Sequence, residues 1–156
     1  MGNSYENQLD EWVNKEKAGV DLLNSVGTLM YDKGIELILF RKNLLEIGVS
    51  ELMNYISYAN NVVGRKNNVE TARDLAATML ELNLAPSKID IGLLTAEYIE
   101  SGSSNLMEFI KHKLDYIINQ NFDNNNAKDV ILYGFGRIGR LAARQLIKQA
   151  GKGQQL

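Results

Sequence analysis

Cysteine is absent from the 156 residues, which removes disulfides, thiolate metal sites and a cysteine nucleophile from this chain and agrees with a reducing compartment. Proline and histidine occur once each, at Pro86 and His112, so no second histidine exists to share a metal or catalytic site with the first. Long apolar runs are missing too. The run Ile35-Glu36-Leu37-Ile38-Leu39-Phe40 falls far short of a membrane span, and Met1 to Asp10 lacks the basic and apolar regions of a secretory signal. Gly2 does not open a myristoylation motif, because position six is Glu6 where Ser or Thr is wanted. These absences predict a cytoplasmic protein with no membrane partner.

What is present is the composition of a folded domain: 45% hydrophobic and 23% charged residues with a formal net charge of -2. The charge is unevenly placed. Five basic residues and no acid follow Asp129, whereas 12 basic and 19 acidic residues precede that point or include it. Such a shift suggests two units, the second able to meet an anion.

Apolar periodicity predicts a mainly α chain. Leu9, Trp12, Val13, Val20, Leu23, Val26 and Met30 recur at helical spacing from Asn3 to about Tyr31, as one long helix or two in series across the polar Asn14 to Lys17. Ile35 to Phe40 reads as a short strand that needs a partner. Ser50 begins a helix carrying Leu52, Ile56, Ala59 and Val63, with Gly64 at its left-handed end. Asn68 caps another, with Ala72, Leu75, Met79 and Leu82, that must end before Pro86. Ser87 restarts the chain towards a helix with Ile89, Leu93, Ala96 and Ile99. Leu106, Phe109, Ile110, Leu114, Ile117 and Ile118 form the clearest stripe. From Asn119 to Lys128 periodicity stops, and this stretch reads as a linker. Two units follow: a helical region over residues 1–125 and a second unit over residues 126–156.

The second unit carries the chemistry. Val130-Ile131-Leu132-Tyr133 reads as a buried strand, Gly134-Phe135-Gly136-Arg137-Ile138-Gly139 as G-x-G-x-x-G, and Leu141, Ala142, Leu146 and Ile147 as the inner face of a helix. Strand, glycine turn and helix in that order are what dinucleotide binding requires. Gly134 permits the tight turn, Gly136 leaves room for a pyrophosphate, and Gly139 lets helix and strand pack closely. The helix start offers unpaired N–H groups to phosphate. Three glycines alone are weak evidence, since a structural turn uses them as well; the flanking strand and helix strengthen the reading. The acid that bonds the ribose belongs some twenty residues beyond such a turn, roughly where this sequence stops at Leu156, so the unit reads as the truncated start of a Rossmann-type α/β domain.

The heptapeptide Gly134 to Arg140 resembles the opening of glyceraldehyde-3-phosphate dehydrogenase. Leu84-Ala85-Pro86-Ser87-Lys88-Ile89-Asp90-Ile91-Gly92 and the run from Tyr133 to Arg144 look like the longer bacterial members of that family with an amino-terminal extension. The resemblance implies a parent enzyme that binds NAD, glyceraldehyde 3-phosphate and phosphate, oxidises the aldehyde through a cysteine thioester, and forms a homo-oligomer. Arg137 and Ile138 match the family residues that follow the glycine turn and lie against the cofactor. The family nucleophile and its histidine lie downstream of the turn, so the resemblance gives this chain no catalytic residue, and by itself it is expected to be inactive.

Other features have plainer readings. His112 lies off the apolar stripe between Lys111 and Lys113 and reads as an exposed helical residue; no metal site is expected. Arg140, Arg144 and Lys148 follow Arg137 at helical spacing and read as a solvated face, with Arg137 nearest the phosphates. Trp12 and the seven tyrosines are not interleaved with a basic patch, which disfavours nucleic acid. A different class of function also fits the wide apolar stripes, namely a non-catalytic helical oligomerisation or regulatory module.

Overall fold

The computed structural model describes residues 2–120 and 130–149; the expected unit boundary at 125/126 and the tail after Gln149 lie outside these residues. Helix α1 (Gly2–Lys33) is a single helix, and the polar Asn14 to Lys17 stretch does not interrupt it. Its inner face, Ala18, Leu22, Val26 and Leu29, is buried, and Lys33 closes its last turn by donating to the carbonyls of Leu80 and Leu82.

The expected strand is present as β1 (Ile35–Leu39), with Ile35, Leu37 and Leu39 buried and the residues between them half-buried. Its partners are β2 (Lys42–Asn43), antiparallel, and β3 (Ser87–Asp90), parallel, in the order β2-β1-β3. Phe40 and Arg41, with φ of 45° and 69°, make the two-residue turn from β1 to β2, as the twist of a hairpin demands. Between β1 and β3 run α2 (Val49–Tyr58), continued by a π turn over Ala59–Val63, and α3 (Val69–Glu81). Gly64 ends the former with φ 72°, and Asn68 caps the latter by accepting from the Thr71 N–H, both at the expected positions.

Three expected helices differ from the structure. The N-cap of α2 is Gly48, and Ser50 lies inside the helix without a capping role. The segment after Pro86 is first a strand, because Ser87 to Asp90 fill the open edge of β1, and α4 (Ile91–Ser101) begins only after Asp90. Helix α5 (Leu106–Lys113) stops before the end of its apolar stripe. Leu114 and Ile117 are still buried, through a 3₁₀ turn over Asp115–Ile117, but Ile118 leaves the helix to bridge Leu84. The Asn119 N–H then donates to the Asn83 carbonyl, so the expected linker starts tied to the core. Helix α6 (Arg137–Gln149) stands at the predicted place, whereas Val130–Tyr133 forms no strand: it has no ladder partner among the described residues. The mainly α class is what the sequence implied, with three short strands in the helical region where one was expected.

The core gathers residues from Ala18 to Ile117, and none of its members comes from α6. Each fully buried leucine, such as Leu22, Leu29 or Leu75, contributes about 1.5–3 kcal/mol relative to exposure. Asp90 joins three elements at one carboxylate: Oδ1 accepts from the Phe40 N–H and the Leu93 N–H, both at 3.1 Å. It thereby ends β3, caps α4 and holds the β1–β2 turn. Removing it leaves a part-buried Phe40 N–H without its acceptor and α4 without its cap. Asp90→Ala is expected to lower stability by about 1–3 kcal/mol in urea unfolding; a loss below a few tenths would show that the carboxylate only decorates the turn.

Candidate functional site

The residues singled out in the glycine turn are brought together by the entry into α6. Gly134 has φ 96°, a left-handed backbone that side chains with a Cβ rarely adopt. Gly136 supplies the first helical acceptor: its carbonyl receives the Arg140 N–H at 3.0 Å. The N–H groups of Arg137, Ile138 and Gly139 therefore precede the first intrahelical bond and are open to another acceptor, at the end of the helix where the dipole is positive. No acidic residue in the first turn competes for them.

Gly139 is fixed by packing. A Cβ there would lie closer than 3.0 Å to the Gly134 carbonyl oxygen, so the helix rests directly on the turn. At Gly136 the opposite holds, since an added Cβ would meet no heavy atom within 4 Å. The space in front of Gly136 is open, and an open cleft of about 540 Å³ runs along it, lined by Ile131, Leu132, Tyr133, Ile138 and Ala142 besides the glycines and Arg137. Phe135 and Ile138 project outward, 67% and 84% exposed.

Arg137, Arg140 and Arg144 line one shallow cavity with Leu141, so these cations stay together, while Leu141 and Ile147, expected on the inner face of the helix, are themselves exposed because no described element packs against α6. Arg140 turns back, its Nε donating to the Gly136 carbonyl at 3.4 Å. His112 is exposed in the last turn of α5 beside Lys111 and Lys113. Among the described residues no three metal-ligating side chains cluster, and no helix is long and apolar enough to cross a membrane.

A second polar feature escaped the sequence reading. Asn60 at the π turn donates to the carbonyls of Ile56 and Asn67 and accepts from the Asn67 N–H. Asn67 is itself buried and donates to the Gly92 carbonyl at 3.0 Å, tying the α2–α3 loop to the start of α4. A cleft of about 390 Å³ opens here, lined among others by Lys15, Ser57, Asn60 and Glu70. The hydrogen bond and charge of Glu11 hold the Lys15 ammonium above its ordinary pKa, and the hydrogen bond and charge of Lys15 lower the Glu11 carboxyl. The pairs Asn60-Asn61 and Asn67-Asn68 were the visible signal; a π turn has none. Nothing reactive lies here, and the network serves to close the loop.

No family model matches the chain. It is 42% identical over 80 residues to a glyceraldehyde-3-phosphate dehydrogenase-like protein of Pseudomonas aeruginosa, a match that covers 50% of this chain and 17% of that protein. The chain thus has a relative with that description, and spans less than a fifth of its length. The aligned stretch is longer than everything from Asp129 to Leu156, so the likeness takes in part of the helical region.

The glycine geometry is separable from the folded core. Gly139→Val is expected to shift backbone amide resonances from Tyr133 to Arg144 by forcing Gly134 and α6 apart, and to leave those of residues 18–118 in place. An unchanged spectrum around Gly134 would mean that the turn does not bear on the helix.

Proposed function

We propose that this chain is the amino-terminal part of an NAD-dependent, phosphorylating glyceraldehyde-3-phosphate dehydrogenase of the long bacterial form, with residues 1–125 as a helical extension and residues 126–156 as the start of the NAD-binding domain. The observation that carries the reading is the pairing of opposite demands in one turn: Gly139 has no room for a Cβ, while Gly136 faces open space at the start of a helix. The relative's description and the heptapeptide Gly134 to Arg140 support the same family.

In this reading the pyrophosphate of NAD lies over Gly136, within reach of the N–H groups of Arg137, Ile138 and Gly139. Gly134 turns the chain out of its path, and Phe135 and Ile138 flank the cofactor. The fit rests on the chemistry of the donors: a dianionic group is bound by backbone N–H dipoles without a side chain in the way. Arg137, at the first helical position, adds positive charge beside the phosphates. When bound, NAD supplies the hydride acceptor. The role of this chain is to bind and orient it, and the residues that attack the aldehyde and move its proton belong to another part of the enzyme. One helix and one turn offer only one wall of the crevice that a dinucleotide fills, so affinity requires the strands that complete the domain. The parent enzyme takes glyceraldehyde 3-phosphate and phosphate, works in the cytoplasm and assembles from several copies.

The test uses the protein encoded by the whole open frame. Titration calorimetry should give saturable NAD binding, and Gly136→Val should weaken it by about tenfold or more, close to 1.4 kcal/mol, since the turn itself has space for the new side chain. Equal affinity in both proteins would remove the pyrophosphate from this turn.

A further inference from the structure

Helix α1 carries a second apolar row that the fold does not use. Its inner face enters the core only from Ala18 onward; from Glu6 to Lys17, a span of about 18 Å, no side chain belongs to the core. A helix of that length is marginal in water without a packing partner. Yet on the side away from Ala18 and Leu22 lie Leu9, Val13, Glu16 and Val20, spaced four, three and four residues apart, before Leu23 turns back to pack against the core. Leu9 and Val20 are each 48% exposed, with Trp12 beside them at 59%. Alternate spacings of four and three residues mark the seam of a paired helix.

We propose that this row docks a second copy of the same chain, with the two α1 helices antiparallel about a two-fold axis near Asn14 and Lys15. The charges flanking the row choose this occupant and its direction. Asp10 and Lys17 are exposed on the same flank, one heptad apart. In an antiparallel pair the same flanks of both helices meet, so Asp10 faces the partner's Lys17 and Lys17 faces the partner's Asp10. Leu9 then packs on the partner's Val20, and Val13 lies against the partner's Glu16. A parallel pair brings opposite flanks together and leaves Asp10 without a cation. Glu16 within the seam is the polar residue that fixes register at a cost in affinity. Glu11 and Lys15 are satisfied within their own helix at 2.8 Å and compete for none of these contacts. A two-fold contact of this kind closes on itself and yields a dimer, not a filament.

Sedimentation equilibrium of the full chain should give twice the chain mass at concentrations on the order of 100 μM. Val13→Asp should return it to a monomer whose core stays folded, because Val13 is outside the core, with a loss of helical circular dichroism no larger than the turns from Glu6 to Lys17 supply. Asp10→Lys should weaken dimerisation roughly tenfold, and Asp10→Lys combined with Lys17→Asp should restore it. A monomer at every concentration overturns the proposal, as does a dimer indifferent to Val13→Asp. Failure of the double exchange to restore what Asp10→Lys removes overturns the antiparallel arrangement. None of these substitutions touches residues 130–149, so the result stands apart from NAD binding.

Discussion

The parallel pairing of β1 with β3 is the constraint on which the folded body depends. Ile35–Leu39 is too short and too apolar to stand alone, and its peptide groups must find partners where water cannot reach them. The hairpin satisfies one edge over only two residues, Lys42 and Asn43. The other edge is satisfied by Ser87–Asp90, and a parallel partner cannot follow directly: the chain has to travel back first. Helices α2 and α3 make that return. They cover the apolar side of α1 on the way, with Leu52, Leu75 and Met79 fully buried. Once β3 is in place, Asp90 fixes the start of α4, and the turn of Ile117 to Asn119 closes over Asn83 to Ala85.

That order explains what could be read from the sequence. Features governed by neighbouring residues were legible: the caps at Asn68 and Gly64, the strand at Ile35, the glycine turn at Gly134 and the helix after it. Features governed by distant residues were not. Ser87–Asp90 has the spacing of a helix start and is a strand only because β1 lies beside it. Ile118 continues a helical stripe and leaves it because Leu84 is within reach. Val130–Tyr133 is the converse case, a segment with every local mark of a buried strand and no ladder to join among the described residues. The asparagine network around Asn60 and Asn67 needed the fold to bring it together, since its acceptor on Gly92 is remote in sequence.

Two kinds of glycine thus occur in one motif, and they carry different information. Gly134 and Gly139 are determined by the chain itself, through a left-handed backbone and a contact that admits no Cβ. The turn has no steric need of glycine at Gly136. In this Gly136 resembles Gly27 and Gly48, where an added Cβ would also meet nothing, and differs from its two neighbours in the motif, which the local backbone requires.

The exposure of Val130-Ile131-Leu132-Tyr133 has a further consequence for the chemistry of the protein in a crowded solution. Ile131 is 90% exposed and Tyr133 fully so, and both follow a backbone without ladder partners among the described residues. An uncharged apolar run whose peptide groups join no ladder has the character of an open sheet edge, which invites pairing with another strand. A partner strand laid along this run would remove that hazard by filling the ladder that the described residues leave open.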